Sequence, residues 1–288
     1  MMTSKPVRLM KFTLCVVLVM AGRFSLVRAN DHAGNYASNI NPPSGWIAAA
    51  HRGDVDDGDW SFESGVNGGS VGRFIGDSSL IGGNINTNGK AFGIYANPAT
   101  NSPFYAARKT FAKAALTTGD TITFQVSVDF RNGSKGFNLR DASDNSIWTF
   151  NVGRVDGVNG GYYIRNGSSS NNVPYDNGQQ FGAYHANTVF TFTFTQRERV
   201  LDWSAARTGG IAATVTGSAP IESGTMGSVR FFVSGTDPGG LPSNNLYFNN
   251  FTFQTAPRSG EPLTLGERRM PGTVPSNLLR FSDPVASA

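Results

Sequence analysis

The sequence predicts an all-β chain folded as an antiparallel β-sandwich of jelly-roll type. Three observations carry that prediction. Apolar residues alternate with polar ones again and again between residues 61 and 255. Pairs of Gly, Asn and Asp interrupt the alternation about every 8–15 residues, the spacing of short strands joined by tight turns. The composition agrees: the 288 residues include 35 Gly and 21 Phe, and only 15% are charged. A charge content that low with so much Phe excludes a disordered solvating chain, and the scarcity of helix-forming repeats excludes a coiled coil. One Cys excludes a disulfide framework and any cysteine-based zinc site.

The first 29 residues read as an address rather than structure. Lys5, Arg8 and Lys11 form a basic n-region, Phe12 to Gly22 is apolar, and Val27 and Ala29 occupy the −3 and −1 positions of a small-residue cleavage site. The expected product begins at Asn30, is secreted, and has no Cys, because Cys15 leaves with the leader. The apolar run is too short to span a bilayer unaided, and no other stretch approaches that length. Removing the leader removes five basic residues and no acid, leaving 19 basic against 20 acidic side chains. Nucleic-acid binding needs clustered Lys and Arg on the folded chain, so it is not expected.

Residues 30–60 read as an irregular segment with Pro42, Pro43 and an acidic cluster. The strands follow. Ile122, Phe124, Val126, Val128 and Phe130 form one apolar face, and Trp148, Phe150 and Val152 a second. Phe190, Phe192 and Phe194 alternate with Thr191, Thr193 and Thr195. Leu201 and Trp203, Ala213 and Val215, Val229, Phe231 and Val233, and Phe251 and Phe253 continue the pattern. Each run places one face on a core and the other in water. Expected turns lie at Asn132-Gly133, Asp144-Asn145, Asn159-Gly160-Gly161, Asn166-Gly167, Gly209-Gly210 and Asp237 to Gly240, residues that tolerate positive φ. A strand zone of roughly 195 residues suits a jelly roll better than an immunoglobulin-type domain. Residues 256–288 hold prolines and mixed charges without a period and read as a disordered tail.

Four stretches carry a resemblance. SGVNGGSVGRFIGDSSLIGGNINTNGKAFGIYAN (64–97), ITFQVSVDF, GFNLRDASDNSIWTFNVG (136–153) and NNLYFNNFTF (244–253) resemble a group of secreted, mostly uncharacterised bacterial β-sandwich proteins. The resemblance implies a concanavalin A-like jelly roll outside the cell. Many of those proteins end in a surface-sorting segment. The tail here departs from that pattern, lacking the hydrophobic helix with a basic end, and the departure favours free secretion over the cell surface as the expected location. It brings no activity with it.

Retaining glycoside hydrolysis takes two carboxylates about 5–5.5 Å apart. Glu63, Glu198, Glu222, Glu261 and Glu267 have no spacing that would pair them on one strand face. Gly76 to Gly82 mimics a lipase block, but the base and orienting acid that a nucleophilic Ser requires have no counterpart downstream. Asp54, Asp56 and Asp59 crowd a Gly-containing loop of the kind that can wrap Ca²⁺, and Gly65 stands where an EF-hand would close with Glu. Asp141 to Asn145 reads as a hairpin turn. The three His residues have no zinc spacing.

Aromatic stacking is the remaining chemistry. Sugar rings pack on aromatic faces while amide, carboxylate and guanidinium groups bond their hydroxyls. Alternation assigns Trp148 and Trp203 to the core. Of the adjacent pair Tyr162 and Tyr163, one must face outward on a strand. The candidate glycan-binding residues are therefore Tyr163, Tyr175 and Tyr184, with Arg165 and Asp176 beside them. The expected function is secreted, non-catalytic recognition of a polysaccharide, cell-surface glycan or extracellular matrix. The alternatives are a polysaccharide-cleaving enzyme with carboxylates drawn from separate strands, and a purely structural surface or matrix protein. An open sheet face with exposed rings favours the binder, paired carboxylates favour the enzyme, and Thr, Ser and small apolar groups alone favour the structural role.

Overall fold

The computed structural model describes residues 26–256 except 38–45, 49–57, 67, 99–102, 112–115, 129–132, 156–157, 168–180, 182–184, 186, 211 and 223. Its strands, in chain order, are β1 (Leu26–Asp31), β2 (Trp60–Gly65), β3 (Gly69–Gly76), β4 (Ala91–Pro98), β5 (Phe104–Thr110), β6 (Thr121–Val128) and β7 (Ser134–Asp141). The rest are β8 (Ser146–Val155), β9 (Val158–Asn166), β10 (Thr188–Gln196), β11 (Val200–Thr208), β12 (Ala213–Pro220), β13 (Met226–Ser234) and β14 (Leu246–Thr255).

They form two antiparallel sheets. One has eight strands in the order β12-β11-β10-β6-β14-β4-β3, with β1 also paired to β14. The other has six, β2-β5-β13-β7-β8-β9. The molecule is thus an all-β two-sheet sandwich, as the alternation predicts. β14 divides its length: Leu246 to Phe248 pair with β4, while Phe251 to Thr255 pair with β1.

The core lies between the sheets, and Phe builds it. Phe190, Phe192 and Phe194 of β10 are fully buried. Across the sandwich, Phe124 meets Phe137 edge-on at 4.9 Å, and Phe231 stacks on Phe248 with ring planes 5° apart. Trp148 and Trp203 are core residues as expected, with ring centroids 5.3 Å apart. Burying rings of this size dominates the stability of such a core. Gly136 of β7 has a steric reason. A Cβ there would stand 1.9 Å from the Phe150 carbonyl oxygen, so no larger residue fits against β8.

The hairpin at Asp141 forms as predicted. Its carboxylate accepts from the Ser143 and Asn145 amides, and Asp144 takes a φ of +68°. Two expectations need correction. Asn159-Gly160-Gly161 lies inside β9, and the link from β8 falls at 156–157. The segment 30–60 is tied down in part: Asp31, Tyr36 and Trp46 are buried, and Trp46 packs on Trp60, Phe62 and Phe92. β1 itself runs across the bond after Ala29, where the sequence predicts cleavage. No helix among the described residues is long and apolar enough to cross a membrane.

Candidate functional site

The outer face of the eight-stranded sheet has two halves. One is covered. Ile81 and Ile85, from the segment between β3 and β4, pack with Ala91 and Tyr247 and against Phe74 and Val189. Asp77 caps the single helical turn Ser78–Ile81 there, accepting from the amide and hydroxyl of Ser79 and from the Asn86 amide. Those three bonds hold its carboxyl below the ordinary 3.8, with the Ser79 hydroxyl the largest cause. The lipase-like block is thus a capped turn, and Ser78 in it is buried.

The other half of the face is open and polar. The register aligns outward side chains in rows across β6, β10, β11 and β12. The first row is Thr121, Thr195, Asp202 and Ser218; the second is Thr123, Thr193, Ser204 and Thr216; the third is Gln125, Thr191, Ala206 and Thr214. This follows from period-2 geometry: each strand sends its Phe, Leu, Trp or Val inward and its hydroxyl outward. The rows are bonded within themselves. Thr121 and Thr195 hydroxyls lie 3.0 Å apart, those of Thr123 and Thr193 3.2 Å apart, and Gln125 Nε2 donates to Thr191 Oγ1 at 3.3 Å.

At the β12 side the face dips into an open trough of about 370 Å³. Thr193, Thr195, Asp202, Trp203, Ser204, Thr216, Gly217 and Ser218 line it. Asp202 is the only carboxylate in that lining. Arg197 Nε donates to its Oδ2 at 2.9 Å, and the Ser218 hydroxyl donates to its Oδ1 at 2.8 Å. The Arg197 bond foremost, then the Ser218 bond, hold the carboxyl below its usual 3.8. Asp202 is therefore an ionised acceptor at neutral pH and not a proton donor. Trp203 is 8% exposed and lies opposite Gly217 in the register. Its Nε1 donates to Asn166 Oδ1 at 3.2 Å, and Asn166 Nδ2 donates to the Ser218 carbonyl. The trough is thus braced against β9 of the other sheet.

The structure does not gather the residues the sequence singled out. Tyr162 and Tyr163 do point to opposite faces of β9, but both are buried. Tyr162 packs on Phe150 and Phe190 in the core. Tyr163, opposite Asn151, is only 5% exposed and offers no open ring face. Arg165 lies half-buried opposite Thr149, in a row that continues through Asn138 to Arg230 and Arg108. Tyr175, Asp176 and Tyr184 lie outside the described residues, as do Asp54 and Asp56. Asp59 is described: it is exposed, and its backbone pairs with Thr110. Among the described residues no group of three His, Cys, Asp or Glu could hold a metal ion. The sequence alone does not reveal the hydroxyl rows, because alternation marks Thr191, Thr193 and Thr195 only as the polar complement of a core strand. The signal was that same T-x-T-x-T alternation.

No family model and no curated protein sequence matches the chain. Solved structures do match. The lectin UEA-II, solved with galactose, is 11% identical over 81% of this chain and 98% of its own, with a TM-score of 0.42. The CBM2 module of the evolved Dit of Lactobacillus casei BL23 phage J-1 is 11% identical over 80% of this chain and 97% of its own, with a TM-score of 0.46. A sialidase matches 68% of this chain at 11% identity and a TM-score of 0.41, and this chain spans 17% of its length. The chain's own strand pairing makes it an antiparallel two-sheet sandwich.

Proposed function

We propose that this chain is a secreted, non-catalytic carbohydrate-binding sandwich that holds its ligand along the trough between β10 and β12. One observation carries the reading: the trough sets rows of hydroxyls around a single ionised carboxylate, Asp202. A sugar ring presents several hydroxyls within a few ångströms of one another. It is held by a matching array of donors and acceptors, in which a charged acceptor makes the strongest bonds. Thr193, Thr195, Ser204, Thr216 and Ser218 supply groups that both donate and accept. Glycoside cleavage takes a second carboxyl within about 5–9.5 Å, one of the pair protonated. The trough lining supplies one carboxylate, and it is ionised.

Secretion follows from the leader pattern, and N-terminal sequencing of exported protein tests it by a start at Asn30. Binding is tested with a glycan array and titration calorimetry on the full chain and on Asp202→Asn and Thr193→Val. Loss of binding in both variants, with unchanged thermal unfolding, supports the trough as the site. Undiminished binding in both refutes it. A second reading, a structural protein that associates through its sheets, is favoured by a specific observation. The hydroxyl rows carry no exposed ring, and β12 at their border is a sheet edge of Thr and Ser. Failure to bind any polysaccharide, together with concentration-dependent self-association, would select it.

A further inference from the structure

Asp31 and Lys109 are charged side chains buried with no exposure at all, Lys109 Nζ lying 2.7 Å from Asp31 Oδ2. β1 carries Asp31 and belongs to the eight-stranded sheet. β5 carries Lys109 and belongs to the six-stranded one. The pair therefore bridges the sandwich. Around it stand rings: Lys109 Nζ is 5.1 Å from the Trp60 ring centre, and Trp60 in turn packs on Trp46, Phe92 and Phe251.

The hydrogen bonds at this carboxylate are lopsided. Oδ2 accepts from Trp60 Nε1 at 3.1 Å and from the Tyr36 hydroxyl at 3.3 Å, besides facing Lys109. Oδ1 is buried and has no hydrogen-bond partner among the described residues. Lys109 Nζ also donates to the Gly58 carbonyl at 3.3 Å. Two charges taken from water in this way are costly, and an orphan oxygen adds to the cost.

We propose that Asp31 and Lys109 condense into an amide that cross-links β1 to β5. A proton passes from the ammonium to the carboxylate, and the neutral amine attacks Cγ. The developing negative charge falls on Oδ2, where the Trp60 N–H and Tyr36 O–H already point. Oδ1 leaves as water with two of the three ammonium hydrogens, and the third stays on the amide nitrogen. The charges cancel, and no oxidant, metal or co-reactant is consumed. The product keeps the oxygen that is satisfied and discards the one that is not. Its remaining N–H has the Gly58 carbonyl as acceptor. Holding the two groups in contact in a dry site replaces an encounter in solution, which is the condition under which such condensations run. A chain whose one Cys lies in the predicted leader would thereby gain a covalent tie between its sheets.

The test is the intact mass of the full chain expressed and processed in its own way, with peptide mapping under denaturing conditions. The expected result is a mass lower by one water and a branched peptide joining the segments around Asp31 and Lys109. A folded protein with the unshifted mass and two linear peptides overturns the proposal. Lys109→Arg keeps the charge but cannot form this amide, so its mass must show no loss of water. A loss that persists in Lys109→Arg arises elsewhere and equally overturns the proposal.

Discussion

Gly217 decides how closely β12 can lie over Trp203. A Cβ built at Gly217 meets Trp203 Cζ2 at 2.5 Å, Cε2 at 2.7 Å and Nε1 at 3.0 Å, where ordinary contact starts at 3.4 Å. In Gly217→Ala the indole or the strand must yield by roughly 0.9 Å, the gap between those two distances. The ring has little room to do so, since it packs 5.3 Å from Trp148 and its Nε1 is bonded to Asn166. Overpacking of this kind costs about 1–3 kcal/mol. Stretching the Asn166 bond adds about 1 kcal/mol. Against this, replacing Gly stabilises by about 0.4–1 kcal/mol through the unfolded chain. The net expectation is a loss of about 1–3.6 kcal/mol, read as a lower urea midpoint at unchanged slope. The decisive comparison is the same substitution in a Trp203→Phe background. A phenyl ring lacks Cζ2, the atom that stands closest to the new Cβ, so the penalty should shrink by about 1 kcal/mol or more. An equal loss in both backgrounds would refute the contact argument.

Other outcomes follow from the same structure. The Arg197 and Ser218 bonds hold the Asp202 carboxyl below 3.8, so affinity at the trough should be flat around neutrality and fall as pH drops through that lowered value; calorimetric titration across pH checks it. Whatever stability its bond with Arg197 adds is present above the ordinary carboxyl value and lost as pH falls through the lowered one. That contribution is small and salt-sensitive, because both side chains are about half exposed. Tyr247 runs the other way. Burial foremost raises its hydroxyl above 10.0, so the unfolded chain ionises first, and chemical denaturation should show stability falling as pH rises past 10.0. Phe231→Ala removes a ring stacked on Phe248 across the sandwich and should cost about 3–5 kcal/mol in urea unfolding. Gly136→Ala places a Cβ against the Phe150 carbonyl and should yield no cooperative unfolding transition at all.

The local part of the architecture was legible in the residues. Alternation alone assigned Phe190, Phe192, Phe194, Trp148 and Trp203 to the core, because side-chain direction on a strand depends only on parity. The hairpin at Asp141 was equally local. The rows of the open face were not legible. They join β6 to β10, strands separated in sequence by three others, and nothing local to Thr121 names Thr195 as its neighbour. Tyr163 shows a second limit. Parity turns it away from the core, yet facing away does not guarantee exposure. The Asp31–Lys109 contact shows a third. One partner sits two residues past a predicted cleavage point and the other in an unremarkable β5, so only the tertiary fold introduces them.

The pairing of β1 with β14 has a kinetic consequence. Asp31 lies opposite Phe251, so the opening strand finds its neighbour only after nearly the whole chain exists. β14 also separates β6 from β4, which means the eight-stranded sheet lacks its middle until the last strand arrives. Contacts of such sequence separation are slow to form, and they favour a folding reaction that waits for the complete polypeptide. The hairpins β7–β8 and β10–β11 can assemble early and pack on each other through Phe137, Trp148, Phe192 and Trp203, but the eight-stranded sheet stays open at its middle until β14 is made. A polypeptide halted before residue 246 should therefore remain open to proteases, however much of its Phe-rich core it already carries.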